Sequence, residues 1–369
     1  MSFGGIPRRD AGTESDDEMR MEMRDRLRRR MGWGVLLAAL MLGAAAGPAF
    51  AEAPLPTPGT TPAAEETQDE WIKPAHLDDA PKVIDRWNVP EAYPGFSFDP
   101  GQELLEIWLP QVQEMDATIL RYQGETWMID CGDELADQRI VPLIKALGIT
   151  EIRRMFNTHP HHDHLGGLEK ITAEIPTEEL LVCFPDDLYG RMHRVLEYCA
   201  EQGIRVTYYN DEQVFTMGDG LVRILNWQKV PEQETMNDRS AQFMVSYGNC
   251  SFLIMADIER AGMRYLFDAV GPEALKADIL RYPHHGKEQM WDDVYQAIDP
   301  ELVVFTASRR FSASSKFMQR YPQPTVYTAQ GILHMVTDGE RWLCEKADKA
   351  ALFGAEALET EEPEPKETP

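Results

Sequence analysis

Asn157-Thr158-His159-Pro160-His161-His162-Asp163-His164-Leu165-Gly166-Gly167 holds four of the nine histidines of this 369-residue chain within six positions. Imidazole nitrogen and carboxylate oxygen at such spacing make the donor set of a transition-metal site, because both suit zinc and its neighbours. Residues 152–157 read as a strand, and Pro160 biases His159 toward extended backbone. Side chains alternating at period two then send His159, His161 and Asp163 to one side and His162 to the other. Gly166 and Gly167 permit a tight turn and close backbone packing. The run therefore reads as His-x-His-x-Asp-His at the end of a strand, with His162 facing away.

Outward from it, strands and helices alternate. On the N-terminal side, strands at 104–109, 117–122 and 126–130 precede a helix over 134–147 that Gly148 stops. Asp130 falls at a strand end, where sites are often built. On the C-terminal side comes a strand at 180–184, then a helix over 186–203 with the apolar stripe Leu188, Met192, Val195, Leu196 and Cys199. His193 flanks that stripe and reads as a surface residue. Strands at 221–227, 242–247 and 251–256 follow, the last running into Asp257, and a helix spans 260–270. A short strand at 278–283 ends in His284-His285-Gly286, which brings the clustered histidines to six of nine. A helix over 288–298 and a strand over 302–307 follow, with Arg309 and Arg310 just beyond, and short strands at 325–328, 332–336 and 341–343 close the domain. This is an α/β layout.

The ends read differently. Residues 1–51 combine a mixed-charge leader, the basic run Arg24-Asp25-Arg26-Leu27-Arg28-Arg29-Arg30, an apolar stretch from Trp33 to Ala46 and an Ala-x-Ala ending at Ala51. Those are the parts of a secretory signal peptide, or of a single N-terminal anchor if uncleaved, and they place the remainder outside the cytoplasm, extracellular or at the cell surface. Residues 52–86 form a Pro-rich acidic linker, 87–348 the folded domain and 349–369 an acidic tail. The formal net charge is −26, and removing residues 1–51 leaves 28 basic groups against 55 acidic ones. Such a surplus favours solubility and disfavours loose attachment to nucleic acid or anionic membrane. Five scattered cysteines without a Cys-x-x-Cys pair point to buried thiols rather than a disulfide framework or a zinc ribbon. Nothing in the sequence points to a protein partner.

The order Asp130, His159-x-His161-x-Asp163-His164, Asp257 and His284-His285-Gly286 resembles that of the metallo-β-lactamase superfamily. Residues 117–132, Asn237-Asp238-Arg239-Ser240, Met255-Ala256-Asp257-Ile258-Glu259, residues 278–286 and residues 328–331 are similar to the hydrolase domain of ComEC competence proteins. The resemblance covers residues 103–343 and implies a four-layer αββα sandwich with two divalent metals, zinc or manganese, at one sheet edge. By position it implies His159 and His161 on one metal, Asp163 and His164 on the second, and Asp257 between them, with His285 as the further ligand. His284 would orient a ligand or touch substrate, and Asp130 would support the site from behind. Many superfamily members carry another histidine before the bridging aspartate; here Asn237 and Ser240 match the ComEC-like pattern instead, so the first metal lacks an obvious third ligand. The implied chemistry is hydrolysis of a phosphodiester, in nucleic acid or nucleotide, by a hydroxide held between two metals, with Asp163 or Asp257 orienting it. Lys287, Arg309 and Arg310 could receive phosphate. A lactam, lactone or thioester hydrolase is the alternative, and a non-catalytic binding protein that keeps the fold is another.

Overall fold

The computed structural model describes residues 80–184, 190–231, 234–308 and 314–354. The signal segment expected over 1–51, most of the linker and tail, and Arg309 and Arg310 lie outside the described residues. Two sheets form the middle of the fold. Strands β1 (Val83–Asp85), β2 (Leu105–Leu109), β3 (Ala117–Tyr122), β4 (Glu125–Cys131), β5 (Ile152–Phe156), β6 (Thr177–Val182) and β7 (Arg205–Tyr208) belong to the first sheet. Strands β8 (Val214–Met217), β9 (Val222–Trp227), β10 (Gln242–Tyr247), β11 (Cys250–Ile254), β12 (Ile279–Arg281), β13 (Leu302–Phe305) and β14 (Thr325–Tyr327) form the second. The chain then returns to the first sheet through β15 (Leu333–Thr337) and β16 (Trp342–Lys346), giving the order β1-β16-β15-β2-β3-β4-β5-β6-β7 opposite β14-β13-β12-β11-β10-β9-β8.

Period-two alternation decides which core each side chain enters. In β2, Leu105, Ile107 and Leu109 face the core between the sheets while Trp108 faces the helices outside. In β11, Phe252 and Ile254 face the same inter-sheet core and Leu253 faces the outer helices of the second sheet. Three apolar cores therefore separate four layers, helix, sheet, sheet and helix, which is the expected αββα sandwich. Truncating a fully buried side chain of the middle core, such as Phe243, would cost about 3–5 kcal/mol.

Each sheet is antiparallel in one part and parallel in another. Strands β4 to β7 run parallel, as do β11 to β14. Parallel neighbours need crossover connections, so β4, β5, β11, β12 and β13 all release the chain at their C-terminal ends, where ligands bind in open α/β sheets.

Several boundaries differ from the sequence reading, each for a physical reason. The helix expected over 134–147 is two helices, Ala136–Arg139 and Val141–Ala146, because Pro142 lacks an N–H and sits in the first turn of the second. The edge strands β7 and β8 carry a weak alternation signal, with Tyr208 and Val214 exposed, and the sequence pattern gives neither. Strand β1 pairs with β16 inside the segment assigned to the linker, so the folded domain begins before residue 87. At the other end, the helix Lys349–Phe353, capped by Asp348, packs Leu352 and Phe353 against the outer core inside the expected tail. All five cysteines are free, four of them buried and Cys183 partly so. Among the described residues no helix is long and apolar enough to cross a membrane.

Candidate metal centre

Asp130 holds the back of the site. It ends β4 in a left-handed conformation (φ 58°), which non-glycine residues seldom adopt and which turns the carboxylate inward. Its Oδ1 accepts from the Thr158 N–H at 2.8 Å and from Asn157 Nδ2 at 3.1 Å, and its Oδ2 accepts from the Thr158 hydroxyl at 2.8 Å. The same Oδ2 lies 2.7 Å from His164 Nδ1. A carboxylate on one imidazole nitrogen fixes the ring and leaves the other nitrogen for a ligand. His164 Nε2 accordingly faces Asp257 Oδ1 at 3.2 Å.

The extended alternation of the histidine run stops at His161, which corrects the side-by-side placement of His159, His161 and Asp163. Residues His162–Leu165 form one helical turn with His161 as its N-cap. That turn rotates His162 outward onto Glu134, with which it pairs, and swings Asp163 and His164 into the centre. Gly167 packs so closely on the Cys131 carbonyl that a Cβ would overlap it, and its N–H donates to Gly132 O at 3.0 Å. His159 is fully buried and His161 partly; His159 Nε2 meets His161 Nδ1 at 2.9 Å and stands 3.9 Å from Asp257 Oδ2.

The second sheet supplies the other half. Asp257 follows β11 after Ala256, itself at φ 48°, and is buried. His284 and His285 follow β12 at φ 50° and 51°, so four of the nine non-glycine positive-φ residues among those described gather here. Strained backbone of this kind persists where surrounding structure holds it and clusters at functional sites. His285 Nε2 lies 3.1 Å from Asp163 Oδ2 and 3.6 Å from Asp257 Oδ2. His284 stays at the rim, 3.8 Å from Asp257 Oδ2 and 3.7 Å from Glu259 Oε1. His285 is thus the member of the pair that enters the centre. Of the two histidines expected elsewhere, His193 is exposed and pairs with Glu197 one turn on, as a surface histidine does.

Electrostatics separates the groups. Burial opposes charge on His164, yet the carboxylates of Asp257 and Asp130 outweigh it and hold the imidazole well above its ordinary value. Burial drives His159 well below, drives His161 down as well, and lowers His285 to about 4. Burial also raises Asp163, but the His285 hydrogen bond and the His164 charge outweigh it and keep the carboxyl well below the usual range.

Donor atoms of Asp163, His164, Asp257 and His285 all lie within 4.8 Å of one another. Two of them, His164 Nε2 and Asp257 Oδ1, are buried and face each other at 3.2 Å without the alignment of a hydrogen bond, so a cation between them would use both. Two imidazoles and two carboxylates fit a divalent transition metal. His159 and His161 reach the same centre through Asp257 but gain no third donor. Asn237 lies beside His161 and gives its Nδ2 to Glu259 Oε1 at 2.9 Å, while Ser240 is buried against Gln242. Lys287 pairs with Glu114 at 3.8 Å.

Sequence reasoning missed four participants. Asp116, buried at the start of β3, forms an ion pair with Arg281, which is itself fully buried at the end of β12. Thr306 receives Arg281 Nη2 at 3.1 Å and meets His285 Nδ1 at 2.9 Å. Thr158 bridges Asp130 and His159 Nδ1, the latter at 3.0 Å. An arginine inside the otherwise apolar Ile279-Leu280-Arg281-Tyr282 was the available signal, because a charge in a buried strand requires a partner.

With fold and centre in view, residues 116–307 match the metallo-beta-lactamase superfamily, and the chain belongs to that family. Within it, the hydrolase domain is similar to those of ComEC-type competence proteins. ComE operon protein 3 of Bacillus subtilis is 23% identical over 192 residues, 52% of this chain and 24% of that protein. Competence protein ComA of Neisseria gonorrhoeae is 24% identical over 216 residues, 57% of this chain and 27% of that protein. Ribonuclease Z of Rippkaea orientalis is 31% identical over 120 residues, 28% of this chain and 36% of its own length. The chain therefore spans about a quarter of the length of the two competence proteins.

Proposed function

We propose that the protein is a metal-dependent phosphodiesterase that acts outside the cytoplasm on nucleic acid or nucleotides. The observation that carries the reading is the group Asp163, His164, Asp257 and His285, three of them buried and Asp163 partly so, whose donors converge within 4.8 Å. In this reading His159 and His161 would hold one divalent ion, zinc or manganese, Asp163, His164 and His285 would hold a second, and Asp257 would contribute to both. Bound metals would supply Lewis acidity and an activated water for in-line displacement. The chain's own residues do the rest. Asp163 is the carboxylate that reaches the open side, its side chain 27% exposed against 2% for Asp257, so it is the one placed to orient the attacking water by accepting its hydrogen bond. Asp130 with Thr158 fixes the rings of His164 and His159. His284 and Lys287 stand at the rim, where substrate oxygens would pass.

Two features favour a phosphodiester over a lactam: Asn237 stands where a histidine would complete the first group, and a ribonuclease Z is among the relatives. The net charge of −26 favours short substrates over a processive grip on long polyanions. The export motif in residues 1–51 supports the location, and mass spectrometry of the protein recovered from its native host would find the chain starting after Ala51.

The deciding experiment measures bound metal together with turnover of bis(4-nitrophenyl) phosphate and of a chromogenic lactam, in the parent and in Asp163→Ala. Phosphodiester turnover that depends on added metal and collapses in the variant is expected. Lactam turnover alone would overturn the substrate class, and a metal-loaded protein inactive on every ester would overturn the enzyme reading.

A further inference from the structure

Arg281 is the only lysine or arginine buried among the described residues, and the chemistry above leaves it without a task. It ends β12, one strand from Asp257 and four residues before His285. Both terminal nitrogens of its guanidinium turn to the site. Nη1 donates to the carbonyl of Ala256, the positive-φ residue that precedes Asp257. Nη2 donates to Thr306 Oγ1 at 3.1 Å, lies 3.6 Å from Asp257 Oδ1 and 3.5 Å from His285 Nδ1, and pairs with Asp116. Asp116 belongs to the other sheet, and its backbone N–H donates to the Asp163 carbonyl at 3.0 Å.

The centre takes Asp163 and His164 from the first sheet and Asp257 and His285 from the second, so its geometry depends on how the sheet ends are spaced. We propose that Arg281 is the positioning residue that sets this spacing, a fixed fork linking the strand ends of β11, β12 and β13 to Asp116 beside Asp163. Arginine suits the task because its planar, rigid donors meet several acceptors at once, whereas lysine offers a point charge on a flexible stem. Thr306 extends the clamp. Its hydroxyl, held by Arg281, meets His285 Nδ1 at 2.9 Å and so orients the ring that presents Nε2 to Asp163 and Asp257.

The inference rests on the reading that Asp163, His164, Asp257 and His285 bind metal, and its test reads affinity rather than turnover. Manganese and zinc binding to the full chain would be titrated calorimetrically in the parent, Arg281→Lys, Arg281→Met, Thr306→Val and Phe243→Leu, with the melting temperature of each metal-free protein measured in parallel. Loss of ligand-orienting partners weakens metal binding about 10–100-fold. Arg281→Lys and Thr306→Val should therefore bind about tenfold more weakly, and Arg281→Met about a hundredfold. Phe243→Leu should melt earlier yet bind metal as the parent does. If Arg281→Met does not fold, Arg281→Lys and Thr306→Val decide. Parent-like affinity in both would overturn the proposal while leaving the metal centre intact. Tighter binding by Arg281→Met would also overturn it, by showing the guanidinium to be a competing charge. A parent protein that takes up no metal would remove the metal-centre reading and this inference with it.

Discussion

The two groups of candidate ligands grow from one stretch of sequence and end in different states. His159 and His161 face each other at 2.9 Å, His159 stands 3.9 Å from Asp257, and Asn237 lies beside His161. Asp163 and His164 combine with Asp257 and His285 into four donors within 4.8 Å. In the first group burial drives both imidazoles down against the charges of Asp163 and Asp257. In the second, Asp257 and Asp130 hold His164 toward its charged form. Imidazoles alone are therefore a poor guide to a metal site, since the carboxylates supply the attraction that a divalent ion needs to leave water.

Removing the shared ligand should break both groups together. Asp257→Ala is expected to lower phosphodiester turnover by about a thousandfold or more, as loss of several kcal/mol of charge stabilisation would. Elemental analysis should find little metal bound, and retention of a full complement would show that Asp257 is not shared. Splitting the groups is the next test. His285→Ala should lose the tighter metal with about a hundredfold loss of affinity, whereas His161→Ala should keep one equivalent, stay folded and lose turnover. Equal affinity of the remaining metal in the two variants would erase the distinction between the groups.

Metal removal gives a smaller, thermodynamic effect. A ligand at about 100 times its Kd stabilises the folded state by about 2.7 kcal/mol, so chelation should lower the Tm by several degrees. A melt indifferent to chelator would contradict a metal bound only by the folded chain. Adding the missing donor should sharpen the contrast from the other side. Asn237→His is expected to tighten the weaker metal about tenfold, or about 1.4 kcal/mol, read by competition with a chromogenic chelator. No gain would place residue 237 out of reach of that ion.

The smallest effect is protonic. His164 has its folded value raised, so in the metal-free protein its contribution to stability is complete below the ordinary histidine range and is lost as pH rises through the raised value. A metal on Nε2 displaces that proton. Metal affinity at the second group should thus rise with pH by at most about tenfold per unit, with up to one proton released, seen as a dependence of binding heat on buffer ionisation. The first group, already neutral, should release none. Equal proton release at both groups would mean that His164 is not the protonated ligand.

Much of the site was legible because its residues are chemically conspicuous and close in sequence. His159, His161, Asp163 and His164 stand within six positions, and Asp130, Asp257 and His285 each follow a readable strand. Local backbone was less legible. A period-two pattern carried through Asp163 misses the helical turn at His162–Leu165, which forms because the chain reverses at Gly166 and Gly167 to pack on Cys131 and Gly132. Edge strands such as β7 and β8 escape for a related reason, since strands half open to solvent need less apolar alternation than central ones.

The sequence by itself determined the layered α/β class, the donor types and their strand-end positions, because hydrophobic period and side-chain chemistry are local properties. Tertiary structure alone decided that Asp163 is the more open carboxylate, and that Arg281, Asp116 and Thr306 surround the centre. Those facts depend on how two sheets are stacked and on backbone held at positive φ. Both arise from contacts between residues far apart in sequence, Asp163 with His285 and Asp116 with Arg281 among them, and no local pattern encodes them.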